Sequence, residues 1–209
     1  MTAPIGLRER KKAKTRSAIS AAAITMFLER GYDRVSVAEI AAAAEVTKST
    51  VFVYFPSKDD LALHRIADHV DQSARVVRGR RTDQSPLDAL EEMFLSQLDA
   101  RDAISGLSDR PEVIAYSRMV IETPSLATAL NRYQERSTRL LAAALEEASP
   151  SLTAMTSRLA ACQISAVQFL LIRANQERVV GGAAPDSVAA EARQDALTAF
   201  ESLRNGLRL

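Results

Sequence analysis

Apolar residues recur along this chain at spacings of three and four, and strand-like alternation is scarce. Long stretches of Ala, Leu, Glu and Arg favour helix as well. Ile19, Ala23, Met26 and Phe27 form one such stripe, which predicts a first helix from near Arg8 to Arg30. Glycines follow the stripes, as at Gly31, Gly79, Gly106, Gly181 and Gly182. Prolines open new ones, as at Pro86, Pro111, Pro124, Pro150 and Pro185. Pro at helix starts and Gly at helix ends is the capping asymmetry of α-helices.

The pattern predicts about nine helices. A short second helix covers Val37 to Ala44, opened by a capping box of Ser36 and Glu39. A third covers Lys48 to about Val53, with Thr47 as its N-cap. Ser57 caps a fourth that runs unbroken to about Arg78, with Asp59 and Asp60 in its first turn. The remainder reads as helices at Pro86–Ser105, Arg110–Glu122, Pro124–Ala148, Leu152–Val180 and Pro185–Leu207. The polar stretch from Arg78 to Ser85 is the one candidate linker. The fold class expected is therefore all-α.

Composition sharpens this picture in three respects. With 47% hydrophobic and 25% charged residues in 209, the chain is an ordinary globular one with a sizeable core. The net charge is only +1, yet Arg8, Arg10, Lys11, Lys12, Lys14 and Arg16 crowd one end. Such asymmetry points to an anionic partner for that end, or to a solubilising tail. Cys162 is the only cysteine and lies in an apolar helical stretch, where a small core residue is expected. No signal peptide is recognised, and no run is expected to be apolar enough to cross a bilayer. Both readings lead to a cytoplasmic protein.

The segment Val35 to Phe55 carries the chemistry. Two short helices flank a tight turn at Glu45, Val46 and Thr47. Val37, Ile40, Ala41 and Ala44 give the first an inward face, and Val46 and Val51 plug the corner. Small alanines let the two helices approach closely. The second helix turns Lys48, Ser49, Thr50 and Val53 outward and contains no acid. A helix of donors and small apolar groups can enter a DNA major groove without repelling phosphate.

From here the sequence resembles the tetracycline-repressor (TetR) family of bacterial regulators. The resemblance rests on Thr15, Ile19, Ala22, Ala23, Phe27 and Gly31-Tyr32, then on Ser36-Val37, Ile40-Ala41, Ala44, Val46-Thr47-Lys48 and Thr50. It continues through Tyr54-Phe55-Pro56-Ser57-Lys58-Asp59-Asp60-Leu61. It covers about the first quarter of the chain and implies an N-terminal three-helix helix-turn-helix domain with a larger helical ligand-binding and dimerisation domain behind it. The expected division is 1–56 for DNA binding, 57–84 for a connecting helix and linker, and 85–209 for ligand and dimer.

Three positions depart from the family's pattern. Glu45 stands where a turn glycine is common, so either it adopts a left-handed conformation at some cost or the turn differs. Ser49 replaces a common glycine, and Phe52 replaces a common tyrosine whose hydroxyl binds phosphate.

The resemblance implies DNA contacts at Arg16, Ser36, Thr47, Lys48, Ser49, Thr50, Val53, Tyr54 and Lys58. Lys48, Thr50, Val53 and Tyr54 are expected in the groove or on the backbone. Lys58 is expected at a phosphate, and Thr47 both caps and donates to one. Arg8 to Arg16 follow the backbone or enter the minor groove. Thr47 and Ser57 also serve as plain caps. Phe55 is expected in the core, and Tyr54 is divided between core and interface.

The resemblance further implies a homodimer through the last two helices. The residues support two apolar faces there: Leu159, Ile164, Val167, Leu170 and Leu171 on one helix, and Val188, Ala192, Ala196, Phe200, Leu203 and Leu207 on the other. Intramolecular core must claim part of them. Between the ends, a pocket for a small, largely apolar inducer is expected, with Met93, Tyr116, Met119, Gln163 and Phe169 as lining candidates. The stretch Met119 to Ala127 is similar to family members that sense fatty acyl thioesters or other long apolar molecules.

The function implied is thus a ligand-responsive regulator, a repressor by default, on a palindromic double-stranded operator, with no membrane partner. No catalytic constellation is recognised, and no cofactor or metal is expected. His64 and His69 are five apart, off the spacing that places two ligands on one helix face. A helical protein-interaction scaffold and a membrane-surface binder remain as alternatives. Neither accounts for the turn and the chemistry from Lys48 to Lys58.

Overall fold

The computed structural model describes residues 6–149 and 151–206. Among them are eleven α-helices, one 3₁₀ turn and no strand. The helices are α1 (Leu7–Arg30), α2 (Val37–Ala43), α3 (Lys48–Tyr54), α4 (Lys58–Ala62), α5 (His64–Ala67) and α6 (Gln72–Gly79). They continue with α7 (Pro86–Asp99), α8 (Pro111–Glu122), α9 (Pro124–Ala148), α10 (Ala154–Val180) and α11 (Pro185–Asn205). Pro150 and Leu207 lie outside the described residues.

The chain forms two compact units. Unit 1 holds Met1–Ala67 together with Met119–Ala129, and unit 2 holds Asp68–Arg118 together with Leu130–Leu209. The end of α8 and the start of α9 thus belong with the N-terminal helices.

Unit 1 is built on the α1 stripe. Ile19, Ala23 and Phe27 are buried, and α1 packs against α2 and α4. Val35, Ile40, Ala41, Val51 and Phe55 close the corner between α2 and α3. Phe27 and Tyr32 meet with ring centroids 5.1 Å apart. Val120, Leu126 and Ala129 are buried too.

The single fourth helix expected from Ser57 to Arg78 is instead three short ones, α4, α5 and α6. Leu61, Ala62 and Leu63 are all fully buried. Three consecutive residues spread over about 200° of a regular helix, more than one packed face can cover. The backbone tightens there: Ile66 N–H donates to Leu63 O, and Gln72 N–H to His69 O, both three residues back. His64 is also held sideways, with its ring bonded to the Ser20 hydroxyl on α1 and edge-on to Phe55 at 5.8 Å.

The expected helix Pro86–Ser105 likewise ends early, at Asp99, followed by a 3₁₀ turn at Ala103–Ser105. Arg101 takes a positive φ of 50°, and the N–H groups of Arg101 and Asp102 return to Leu98 O and Gln97 O. This is a left-handed helix stop without glycine. Gly106 does need to be glycine. Its φ is 79°, and a Cβ there would stand 2.4 Å from Ile172 O. The turn is pinned to α10 by Asn175 Nδ2, which donates to Ser105 O at 2.9 Å.

In unit 2, α11 packs on α7 and α10, and α6 on α7. Phe94 and Phe200 meet at 6.1 Å in its core. Ion pairs run along the α7–α11 seam, Arg193 to Asp99 at 2.8 Å and Arg204 to Asp88 and Glu91 at 2.7 Å. Val188, Ala192, Ala196 and Phe200 are all buried against this core. The α11 stripe expected at a dimer interface is therefore largely intramolecular, with Leu203 packed beside it.

Two expectations about α10 are corrected. First, α10 is long and apolar enough, by length and composition, to cross a membrane. Its apolar residues fall on two faces. Ala161, Ile164, Leu171 and Val179 are buried in unit 2, while Met155, Leu159 and Leu170 are exposed. Second, Cys162 is exposed rather than a core residue, because it lies on that outward face.

Candidate nucleic-acid interface

The turn between α2 and α3 is made without glycine. Ser36 opens α2 with a complete capping box: its hydroxyl accepts from Glu39 N–H at 3.2 Å, and the Glu39 carboxylate accepts from Ser36 N–H at 2.8 Å. At the far end Glu45 takes φ 54°, the left-handed conformation posed as one of two alternatives. Its N–H donates to Ala42 O at 3.1 Å, and Val46 N–H to Ala41 O at 2.9 Å. That pair of bonds is a Schellman stop, and it leaves Val46 positioned to fill the corner.

Thr47 then caps α3. Its Oγ1 accepts from Thr50 N–H at 3.1 Å and stands 2.8 Å from the hydroxyls of both Ser49 and Thr50. Val51 is buried and fixes the inward side of α3. Ser49 and Val53 lie about 160° round the helix from it. Thr47, Lys48, Ser49, Phe52 and Val53 are exposed, and Thr50 and Tyr54 half-buried. No acid stands in the first turn of α3, and its sequence contains none. The Lys48 ammonium lies 5.9 Å over the Phe52 ring. The guanidinium of Arg16 lies 5.5 Å over Phe55, which orders it against unit 1's core. Phe55 itself is buried, as expected.

Lys58, expected at a phosphate, has its ammonium held within unit 1. Its ammonium donates to Tyr32 O at 2.6 Å and lies over the Tyr32 and Phe27 rings. The Tyr32 hydroxyl donates to Asp59. Burial, then the Asp59 carboxylate, pushes the Tyr32 phenol well above its usual range. Partial burial lowers Lys58 against the pull of Asp33 and Asp59. These residues lock the end of α1 to the start of α4.

Phe52, which is not among the expected contacts, is exposed on α3 with Lys48 over its ring. Its place four residues after Lys48, on the same side of the helix, is the signal that finds it.

The pocket candidates are less coherent. Met93, Tyr116 and Phe169 lie in unit 2, and Met119 in unit 1. Met93 packs against the unit 2 core, and Tyr116 is buried. Gln163 is exposed on α10 beside Cys162, which does not suit an anchor inside an enclosed pocket. The Nε2 of Gln168 on α10 is buried without a hydrogen-bond partner among the described residues. Its Oε1 accepts from the Ser73 hydroxyl at 3.3 Å. No group of three His, Cys, Asp or Glu among the described residues is placed to hold a metal.

Residues 19–64 match the family of bacterial regulatory proteins called tetR. The transcriptional regulator TcmR of Streptomyces glaucescens is 34% identical over 137 residues, which cover 65% of this chain and 61% of TcmR. This chain thus spans less than two thirds of that relative's length. Solved structures share the fold at low identity. Native NalD of Pseudomonas aeruginosa, the secondary repressor of a multidrug efflux pump, has a TM-score of 0.56 at 22% identity, covering 90% of this chain and 97% of NalD. FadR of Thermus thermophilus, a repressor solved with lauroyl-CoA, has a TM-score of 0.54 at 18% identity, covering 93% and 95%.

Proposed function

Because the chain belongs to the tetR family of bacterial regulatory proteins through residues 19–64, we propose that it is a ligand-responsive transcription regulator that holds an operator as a dimer. The observation that carries this is the outward face of α3. It is free of acid, set on a tight Schellman turn, and built of Ser49 and Val53 opposite a buried Val51, with Lys48 and Phe52 exposed at its side. Thr47, Thr50 and Tyr54 flank it, and Ser36 and Arg16 supply further backbone contacts. Arg8, Arg10, Lys11, Lys12 and Lys14 are exposed on the first turns of α1 and add charge for phosphate.

Dimerisation is proposed through the outward face of α10. Met155, Leu159 and Leu170 are 61%, 56% and 68% exposed, and Leu197 on α11 is partly exposed as well. Apolar groups left in water at helical spacing fit a second copy. A two-fold dimer presents two α3 helices and so reads a near-palindromic site. Repression follows from occupying a promoter.

The inducer is proposed to be largely apolar, an acyl thioester being one candidate class, bound in unit 2 near Met93, Tyr116 and Phe169. The unpartnered Gln168 Nε2 is a donor for its polar end. Coupling needs only that the ligand favour a DNA-incompetent state. A preference of about 1–3 kcal/mol lowers DNA affinity roughly 5–150-fold, and DNA weakens ligand binding equally.

The test is selection of bound fragments from random DNA, repeated with acyl thioesters, fatty acids and aromatic compounds. The expected result is a dyad-symmetric motif with half-site centres about 34–36 Å apart or somewhat further, and affinity that falls steeply with salt. Salt-insensitive binding without a dyad motif overturns the reading.

A further inference from the structure

Large exposed apolar side chains among the described residues fall into two groups. Met155, Leu159 and Leu170 on α10 go with Leu197 on α11, and Phe52 and Val53 stand together on α3. The first group fits a second copy of the chain. The second sits in the middle of the DNA-facing surface, where a polar, base-reading side chain would be the simpler choice.

The polar groups of α3 are partly engaged with one another. A hydroxyl has one proton and two lone pairs. Thr47 Oγ1 meets Thr50 N–H, the Ser49 hydroxyl and the Thr50 hydroxyl, which fills all three places. The Ser49 and Thr50 hydroxyls each spend one contact on it. Lys48 leans over Phe52. Beside these polar groups a large part of the uncovered surface is carbon: Val53 is 78% exposed and Phe52 42%. They occupy consecutive positions in the last turn of α3, Val53 on the side away from Val51 and Phe52 about a quarter turn from it. With Lys48 beside them and no acid on the helix, the patch is apolar at its centre and cationic at its edge. That combination suits the floor of a major groove and repels neither its phosphates nor its base edges.

Of the four bases only thymine offers an apolar group there, its C5-methyl. We propose that Val53 and Phe52 read thymine through that methyl, so that sequence choice at this step of each half-site comes from methyl burial rather than from hydrogen bonds. The proposal rests on the DNA-binding reading above and adds the base that is read.

Replacing thymine by deoxyuridine removes the methyl and leaves every hydrogen-bonding group in place. The experiment takes the full chain and the palindrome it selects, and substitutes each half-site thymine in turn. One or two positions are expected to lose roughly 3–10-fold in affinity, the scale of one buried methyl. That loss should disappear in Val53→Ala or in Phe52→Ala. Both side chains are exposed, so the variants should melt with the parent, and a melting curve checks this. Parent affinity unchanged by uridine at every position overturns the proposal. So does a uridine penalty that persists undiminished in both variants. A chain that selects a dyad-symmetric site but ignores the methyl leaves the regulator reading standing, whereas one that selects no DNA overturns both.

Discussion

The ammonium of Lys58 donates to the carbonyl oxygen of Tyr32 at 2.6 Å and stands 4.1 Å from the centre of the Tyr32 ring. That carbonyl lies just past α1 and accepts from Val35 N–H at 3.4 Å; its second lone pair takes the cation. The aromatic face adds a second attraction. Lys58→Met should therefore lower the stability of unit 1 by about 1–2 kcal/mol, allowing for partial exposure. It should weaken binding to all DNA sequences alike without changing the selected motif. Thermal melting and selection with the variant check both. Unchanged melting with a uniform loss of DNA affinity would instead return Lys58 to a phosphate.

Glu45 holds a backbone conformation that costs a side-chain-bearing residue about 1 kcal/mol. Glycine takes it without that cost. Glu45→Gly should raise the denaturation midpoint accordingly, and removing a carboxylate beside α3 should tighten DNA binding at low salt. A variant less stable than the parent would mean that the Schellman turn depends on the glutamate side chain.

Acid should weaken α2 through Glu39. The Ser36 backbone amide, then the Arg30 guanidinium, hold its carboxyl down to about 2 from 4.5. A folded-state value below the unfolded one means that the stabilisation is complete above pH 4.5. It is lost as pH falls toward 2. Glu39→Gln should flatten stability across that window, measured by chemical denaturation at stepped pH. Ser36→Ala should cost about 1 kcal/mol at neutral pH through the lost cap.

Leu159→Glu with Leu170→Glu should convert the dimer to monomer and reduce operator affinity, since one α3 then faces one half-site. Sedimentation together with DNA titration reads the two effects. Both side chains are exposed in the single chain, so its fold should survive. A double variant that remains dimeric would place the interface elsewhere.

Local rules explain how much of this protein is visible in its residues alone. The 3.6-residue period, Ser36, Thr47 and Ser57 as caps, and proline at Pro86, Pro124 and Pro185 place helix starts within a residue or two, because each acts within one turn of itself. The left-handed Glu45 is one of the two alternatives that its place in the turn leaves open, and the structure takes it.

The tertiary structure decided what local rules leave degenerate. Leu61 to Leu63 obey the helical period, yet all three are buried, and the helix breaks to allow it. Both faces of α10 are apolar, and only packing against α11 and the 3₁₀ turn assigns Ile164 and Leu171 to the interior and leaves Leu159, Cys162 and Leu170 outside. Lys58 looks like a surface cation in sequence. Its direction depends on the carbonyl of Tyr32, a residue 26 positions earlier. A side chain's period along a helix is set by the backbone it belongs to, whereas its partner is set by whatever the rest of the chain brings within reach.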